Sequence, residues 1–197
     1  MDQKDFKDML DDFKEGKITA DDVISELKYM PFEDLGFAKV DHHRGIRNGY
    51  PEVIYCEGKA LEHTKSIVES MLKRGDNNIL ATRADKKVYE VIKEVTEDAE
   101  YYDLARIVVV RRREIVLSKG TIMIVTGGTS DIPVAEEAAV TAEVLGNKVE
   151  RLYDVGVAGI HRLLANVKKM DKANVIIAIA GMEGALASVV GGLVDKP

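Results

Sequence analysis

Three short segments hold the residues best suited to chemistry. The first is Thr126-Gly127-Gly128-Thr129-Ser130-Asp131-Ile132-Pro133, placed where an apolar run gives way to a helical pattern. Gly127 and Gly128 permit backbone conformations and a close ligand approach that a Cβ would block. Thr129, Ser130 and Asp131 are helix-capping types, and Pro133 is tolerated in a first helical turn. Open N–H groups and the helix dipole suit such a turn to a phosphate or carboxylate. The spacing matches neither a Walker loop nor G-x-G-x-x-G, so ligand binding and an ordinary capped turn are equally good readings of this segment alone. The second segment is Asp154-Val155-Gly156-Val157-Ala158-Gly159. Its small residues bring backbone close to a ligand, and Asp154 suits a ribose or a cation; alternatively it is a tight turn with a solvated aspartate. The third is Ala180-Gly181-Met182-Glu183-Gly184-Ala185, where Glu183 suits a first helical turn, a proton acceptor or a metal-side carboxylate.

Other reactive types read as structural. His42 and His43 are adjacent, so on a strand they face opposite ways and do not share a metal. His161 belongs to a helix behind the second segment. Cys56 ends a strand and reads as a small buried apolar residue rather than a nucleophile. Arg111, Arg112 and Arg113 read as a solvated run, and the methionines show no metal-binding pattern.

Each of the three segments follows a strand and precedes a helix. TIMIVT predicts a strand, followed by a helix over about 131–145 closed by Gly146. KVERLYDV predicts the next strand, Ala158–Lys169 a helix, ANVIIAIA a third strand, and a last helix begins near Glu183. Near-continuous apolar strands belong in parallel sheets covered on both faces. In a doubly wound α/β sheet of this Rossmann-like kind, ligands sit beyond the carboxyl ends of the strands, which places all three segments on one rim.

Upstream, residues 1–36 predict a helical hairpin. Phe6, Met9, Leu10 and Phe13 recur at helical spacing, Gly16 closes the first helix, Thr19 with Asp22 caps the second, and Pro31 stops it. Its narrow apolar stripe predicts a mobile or docking element. Residues 37–118 predict a small βαβαβ layer with strands at Glu52–Cys56, Asn78–Ala81 and Arg106–Arg111 and helices at about 60–74 and 85–96. Ser118-Lys119-Gly120 marks the boundary to the third unit, 119–197, which reads as C-terminally incomplete.

Composition narrows the class. Of 197 residues, 46% are hydrophobic and 31% charged, the balance of a globular protein. A net charge of −6 argues against a nucleic-acid interface. No apolar run approaches the ~20 residues of a membrane span, the N-terminus lacks a secretory h-region, and one cysteine excludes an intrachain disulfide framework. These features predict a cytoplasmic location.

The blocks TGGTSDIPVAEEAA, RLYDVGVAGIHRLL and AIAGMEGALASVVGGLVDKP resemble, in order, the LarB family of pyridinium-3,5-bisthiocarboxylate mononucleotide synthesis carboxylase/hydrolases. DHHRGIRNGYPEVIYCEGK and NILATRAD resemble that family's N-terminal region, so the likeness covers about 41–197. The C-terminal half is also similar, more distantly, to the phosphoribosyl-aminoimidazole carboxylase/mutase of purine synthesis, whose Ser-Asp-x-Pro is matched by Ser130, Asp131 and Pro133. Two loop histidines of that enzyme fall at about Gly156 and near Ala185 and are absent here.

The resemblance implies carboxylation of nicotinic acid adenine dinucleotide at pyridinium C5 by CO2, with hydrolysis of the phosphoanhydride to release AMP, the first step of nickel-pincer nucleotide synthesis. A cationic pyridinium carbon does not attack CO2. A thiolate added to the ring makes it an enamine, C5 attacks, and loss of the C5 proton and of the thiolate restores aromaticity. The implied roles fall on Ser130, Asp131 and Glu183 for chemistry. Gly127, Gly128, Thr129, Asp154, Gly156, Val157, Ala158, Gly181, Met182 and Gly184 are the implied binding residues. Mg2+ assisting hydrolysis, no tightly bound organic cofactor, and an octamer with apolar Ala187–Val194 at contacts complete the expectation. The family's thiolate cysteine lies downstream of the block ending at Pro197 and Cys56 does not match its motif, so the chain is expected not to complete the carboxylation alone.

Overall fold

The computed structural model describes residues 3–27, 32–42, 44–74, 78–112 and 114–197. Pro31, His43 and Arg113 lie outside the described residues. The chain begins with α1 (Gln3–Lys14) and α2 (Ala20–Leu27). The Asp22 carboxylate accepts from the Thr19 N–H at 2.8 Å while Thr19 Oγ1 accepts from the Asp22 N–H at 3.2 Å, the reciprocal cap expected from the sequence. Leu10, Phe13 and Ile24 stay exposed on this hairpin.

Next come β1 (Glu33–Asp34), β2 (Lys39–Val40) and α3 (Arg44–Asn48), then β3 (Val53–Tyr55), α4 (Leu61–Arg74), β4 (Ile79–Thr82), α5 (Lys86–Lys93), β5 (Ala99–Tyr102) and β6 (Ile107–Val110). The expected βαβαβ layer is corrected here. The sheet has four strands in the order β3-β4-β6-β5; only β3 and β4 are parallel, and β6 runs antiparallel to both β4 and β5. The unexpected β5 forms a hairpin with β6, so no crossover joins them.

All four residues of β6 are buried because the sheet is covered on both faces. Ile79, Ala81, Val108 and Val110 point to Val68 of α4 and to Val88 and Ile92 of α5. Leu80, Ile107 and Val109 point the other way, to Val140 and Val144. These last two belong to α6 (Ile132–Val144), which follows β7 (Thr121–Thr126) and a 3-10 turn at Thr129–Asp131. The other side of α6 presents Ala135 and Ala139 to Ile124 of β7. One helix is therefore shared between two sheets, and its alanines allow close approach on one side while its valines fill the other.

The second sheet has the order β8-β7-β9, wholly parallel, with β8 at Lys148–Leu152 and β9 at Val175–Ile179. Its far face is covered by Leu163, Met170, Leu186 and Val190. The expected single helix over 158–169 is instead a 3-10 turn, α7 (Ile160–Leu164) and α8 (Val167–Met170); the Asn166 amide caps back onto the Arg162 carbonyl at 2.8 Å at the break. The last helix, α9, spans Ala185–Leu193. Among the described residues no helix is long and apolar enough to cross a membrane.

Candidate active site

Because β7, β8 and β9 are parallel, their carboxyl ends share one edge of the sheet, with β7 in the middle. Fully buried Thr126 ties the second loop to the first: its Oγ1 accepts the Asp154 N–H at 3.0 Å, and its carbonyl accepts the Val155 N–H at 3.0 Å. Gly127 ties in the third, donating its N–H to the Ile179 carbonyl at 2.9 Å. At Gly156 the approach is close enough to dictate glycine, and at Gly127 it is tight. A Cβ on Gly156 would stand 2.5 Å from the Gly127 carbonyl oxygen, and one on Gly127 would meet the Ala180 Cβ at 3.3 Å.

Within the first loop, the Asp131 carboxylate folds back to accept the Gly128 N–H at 2.8 Å and does not cap α6. It also faces the third loop, since a Cβ on Gly181 would lie 3.8 Å from Asp131 Oδ1. Pro133 occupies the first turn of α6, where its missing N–H costs nothing. Thr129 and Ser130 are exposed. Among the described residues, the N–H groups of Thr129, Ser130, Val157 and Ala158 have no acceptor, leaving main-chain donors open on the rim.

The second loop turns at Asp154, whose φ of 58° is left-handed. A Cβ makes that conformation costly by about 1–2 kcal/mol, and the side chain is held by an ion pair to Arg162 Nη1. Arg162 stands one turn into the helix that follows and lays its guanidinium against Gly159. The third loop turns at Met182, φ 47°, and Gly184, φ 67°. Met182 is fully exposed. Glu183 is also exposed and sits two residues before α9 rather than in its first turn, without a hydrogen-bond or ion-pair partner among the described residues.

All three loops therefore meet, which brings Gly127, Gly128, Asp131, Gly156 and Gly181 together directly. Thr129, Ser130, Asp154, Val157, Ala158, Met182, Glu183 and Gly184 stand around them on the same loops. Sequence reasoning missed Arg162, the cation of the rim. Its only sequence signal is a place one turn beyond Gly159, and His161 beside it is exposed instead.

Among the described residues, the three loops and the helix turn behind them carry three carboxylates, Asp131, Asp154 and Glu183, and one guanidinium, Arg162. Asp131 and Asp154 are both engaged, and among the described residues no three His, Cys, Asp or Glu side chains converge as a metal-binding group. These residues do not by themselves fit a Mg2+ cage.

The remaining reactive side chains lie elsewhere. Cys56 is buried in the first core with its Sγ 3.8 Å from the Ile54 carbonyl, and burial pushes its thiol up to about 11. His42, Glu33 and Ser70 form a cluster in which His42 Nε2 meets Glu33 at 2.8 Å and Ser70 Oγ at 3.3 Å, while Ser70 donates to Glu33 at 2.7 Å. Both partners share one ring nitrogen, so the imidazole does not relay a proton between them. A cleft of 370 Å³ between Tyr50, Pro51 and Leu80 on one side and Val144 and Gly146 on the other lies at the opposite end of α6.

Comparison with known proteins matches residues 32–113 to a LarB/PurE-like N-terminal domain and residues 121–197 to an AIR carboxylase domain. An uncharacterized protein of Methanocaldococcus jannaschii is 38% identical over 207 residues, spanning 98% of this chain and 79% of that protein. The N5-carboxyaminoimidazole ribonucleotide mutase of the same organism is 40% identical over 79 residues, 39% of this chain and 48% of that enzyme. The pairing of domains is that of a carboxylase-type enzyme.

Proposed function

Because the chain belongs to the LarB family, we propose that it handles the dinucleotide in a carboxylation of nicotinic acid adenine dinucleotide at pyridinium C5. Phosphoanhydride hydrolysis and release of AMP accompany that reaction. The observation that carries this reading is the mixed character of the rim. Open N–H groups on Thr129, Ser130, Val157 and Ala158 suit phosphates and a nascent carboxylate. Three carboxylates against Arg162, the one guanidinium there among the described residues, suit a ring that bears a positive charge. The Asp131 carboxylate shapes the first loop through Gly128 and faces the space a ring would take. Glu183, unpaired among the described residues, is the group best placed to accept a proton.

The thiolate that activates the ring does not come from Cys56, which is buried and protonated at neutral pH. These residues are therefore expected to bind the dinucleotide without turning it over. A homo-oligomer, the octamer implied by the family resemblance, is part of the same proposal. The exposed face of Ala187, Ser188, Gly191 and Gly192 on α9 is small enough for close helix approach.

A second reading, an aminoimidazole ribonucleotide carboxylase or mutase, draws on the relative of that activity. The rim disfavours it. Position 156 has no room for the loop histidine, since even a Cβ would stand 2.5 Å from the Gly127 carbonyl, and position 185 holds alanine. Calorimetric titration with nicotinic acid adenine dinucleotide, with and without Mg2+, decides between the two, using aminoimidazole ribonucleotide as the control. Selective dinucleotide binding that is lost in Ser130→Ala or Asp131→Ala is expected. Preference for the imidazole ligand, or no binding by a folded sample, sinks the proposal.

A further inference from the structure

Five methionines lie among residues whose surroundings are described, and four of them pack inward. Met9, Met123 and Met170 are buried, and Met71 lies against the first core. Met182 is the exception: its side chain is 101% exposed, on a backbone with φ 47°. An apolar thioether held in water on a left-handed residue gains nothing from the chain itself. Its immediate neighbours leave it clear, with Gly181 before it and Gly184 and Ala185 after Glu183. Gly181 in turn abuts Asp131, so the side chain starts beside the centre of the rim.

We infer that Met182 caps the substrate ring, laying its thioether against the flat face of an electron-poor heteroaromatic cation bound on the rim. This rests on the proposed pyridinium substrate and adds the residue that recognises its ring. The chemistry fits: sulfur is polarizable and electron-rich, methionine is flexible enough to settle on a planar partner, and contacts of this kind favour aromatic rings. Exposed Glu183, the next residue, adds negative charge beside the same ring face. No aromatic side chain occurs in the three loop segments, leaving Met182 as the large, apolar and mobile candidate of the third loop.

The test follows the Met182 methyl group by NMR in protein carrying 13C-methyl methionine, with Met182→Leu assigning the signal. Nicotinic acid mononucleotide is expected to move that methyl upfield through the ring current, and ribose 5-phosphate is expected not to. Met182→Ala weakens mononucleotide binding about two- to tenfold and leaves ribose 5-phosphate binding unchanged, and Met182→Leu recovers part of the loss. If the mononucleotide binds but the methyl stays still and Met182→Ala binds equally well, the inference falls and the proposed substrate stands. A methyl shift that follows protein concentration without ligand assigns Met182 to a contact between copies and overturns the inference. If neither mononucleotide nor dinucleotide binds the folded chain, the substrate proposal falls and takes this inference with it.

Discussion

At the carboxyl end of β4 the chain turns through Arg83, whose Nε closes an ion pair with Glu137 at 2.8 Å. Nearby, Arg106, just before β6, accepts the Ala84 N–H on its carbonyl at 2.8 Å and lies 3.9 Å from Glu57. At the carboxyl end of β7 the chain turns through Gly127 and Gly128, and the next two N–H groups have no acceptor among the described residues. Both sheets are buried α/β layers that share α6. The first fills its strand ends with side chains that bond to the rest of the molecule. The second sets Gly127 and Gly128 at its central strand end and leaves main-chain donors beyond them open. A binding rim differs from a structural edge less by its fold than by which polar groups it leaves unanswered.

That contrast predicts that substitutions in the first sheet cost stability and not affinity, whereas those on the rim cost affinity first. Leu80→Ala has the largest expected effect. It removes a fully buried side chain from the seam against Val140 and lowers unfolding stability by about 3 kcal/mol, measured by denaturant titration. Dinucleotide affinity, measured where the variant is folded, stays unchanged. A large affinity loss would mean that the seam shapes the rim through α6, and the two regions would not be separable.

Gly156→Ala comes next. Its Cβ would stand 2.5 Å from a backbone oxygen, so the first and second loops must move apart. A loss of about 2 kcal/mol in stability is expected together with loss of dinucleotide binding in calorimetry. Retained binding would show that the contact between the loops is incidental to the site. Asp131→Ala follows, removing the acceptor of the Gly128 N–H. It should cost about 1 kcal/mol of stability and weaken the dinucleotide more than a ring-free phosphate. Equal weakening of both ligands would reassign Asp131 from the ring to the phosphate loop.

How much of this was legible in the sequence follows the same division. The rim was readable because small residues recur at all three strand ends, and Gly156 marks a place where backbone approaches backbone, a requirement that leaves a trace in the sequence. The mixed first sheet was not. The turn between β5 and β6 runs through Asp103 to Arg106, and the left-handed residue that closes it is an arginine, φ 52°. With neither Gly nor Pro to punctuate it, Ala99–Tyr102 carried no strand boundary, and the hairpin was missed. Arg162 was overlooked because its partner Asp154 lies eight residues away across a loop, a distance that no helix or strand period links. The division of α6 between two sheets was hidden for a related reason: burial on two sides broadens the apolar pattern until it no longer points one way.

Cys56 marks the buried side of the comparison through pH. Its folded thiol titrates at about 11, against an ordinary 9.0. Between those values the unfolded chain loses a proton that the folded chain keeps. Its contribution to stability is therefore complete below about pH 9 and is lost as pH rises through about 11. Stability measured across that window should fall less steeply in Cys56→Ala than in the parent. Equal slopes would mean that the thiol reaches water in the native state and would reopen it as a nucleophile.

The smallest expected effect belongs to Arg83→Ala, and it tests whether the two regions respond as one body. The Arg83–Glu137 pair joins the end of β4 to α6 but is partly exposed, so screening by water limits its contribution to about 0.5 kcal/mol. What joins the sheets is the apolar seam, where Leu80, Ile107 and Val109 meet Val140 and Val144, and burial of that kind exceeds a surface ion pair several-fold. The variant should therefore unfold in one transition, slightly earlier, with coincident signals from both sheets. If the transitions separate, the ion pair holds the regions together more than the seam does. The open rim would then depend on a charge contact at the first sheet's own strand ends.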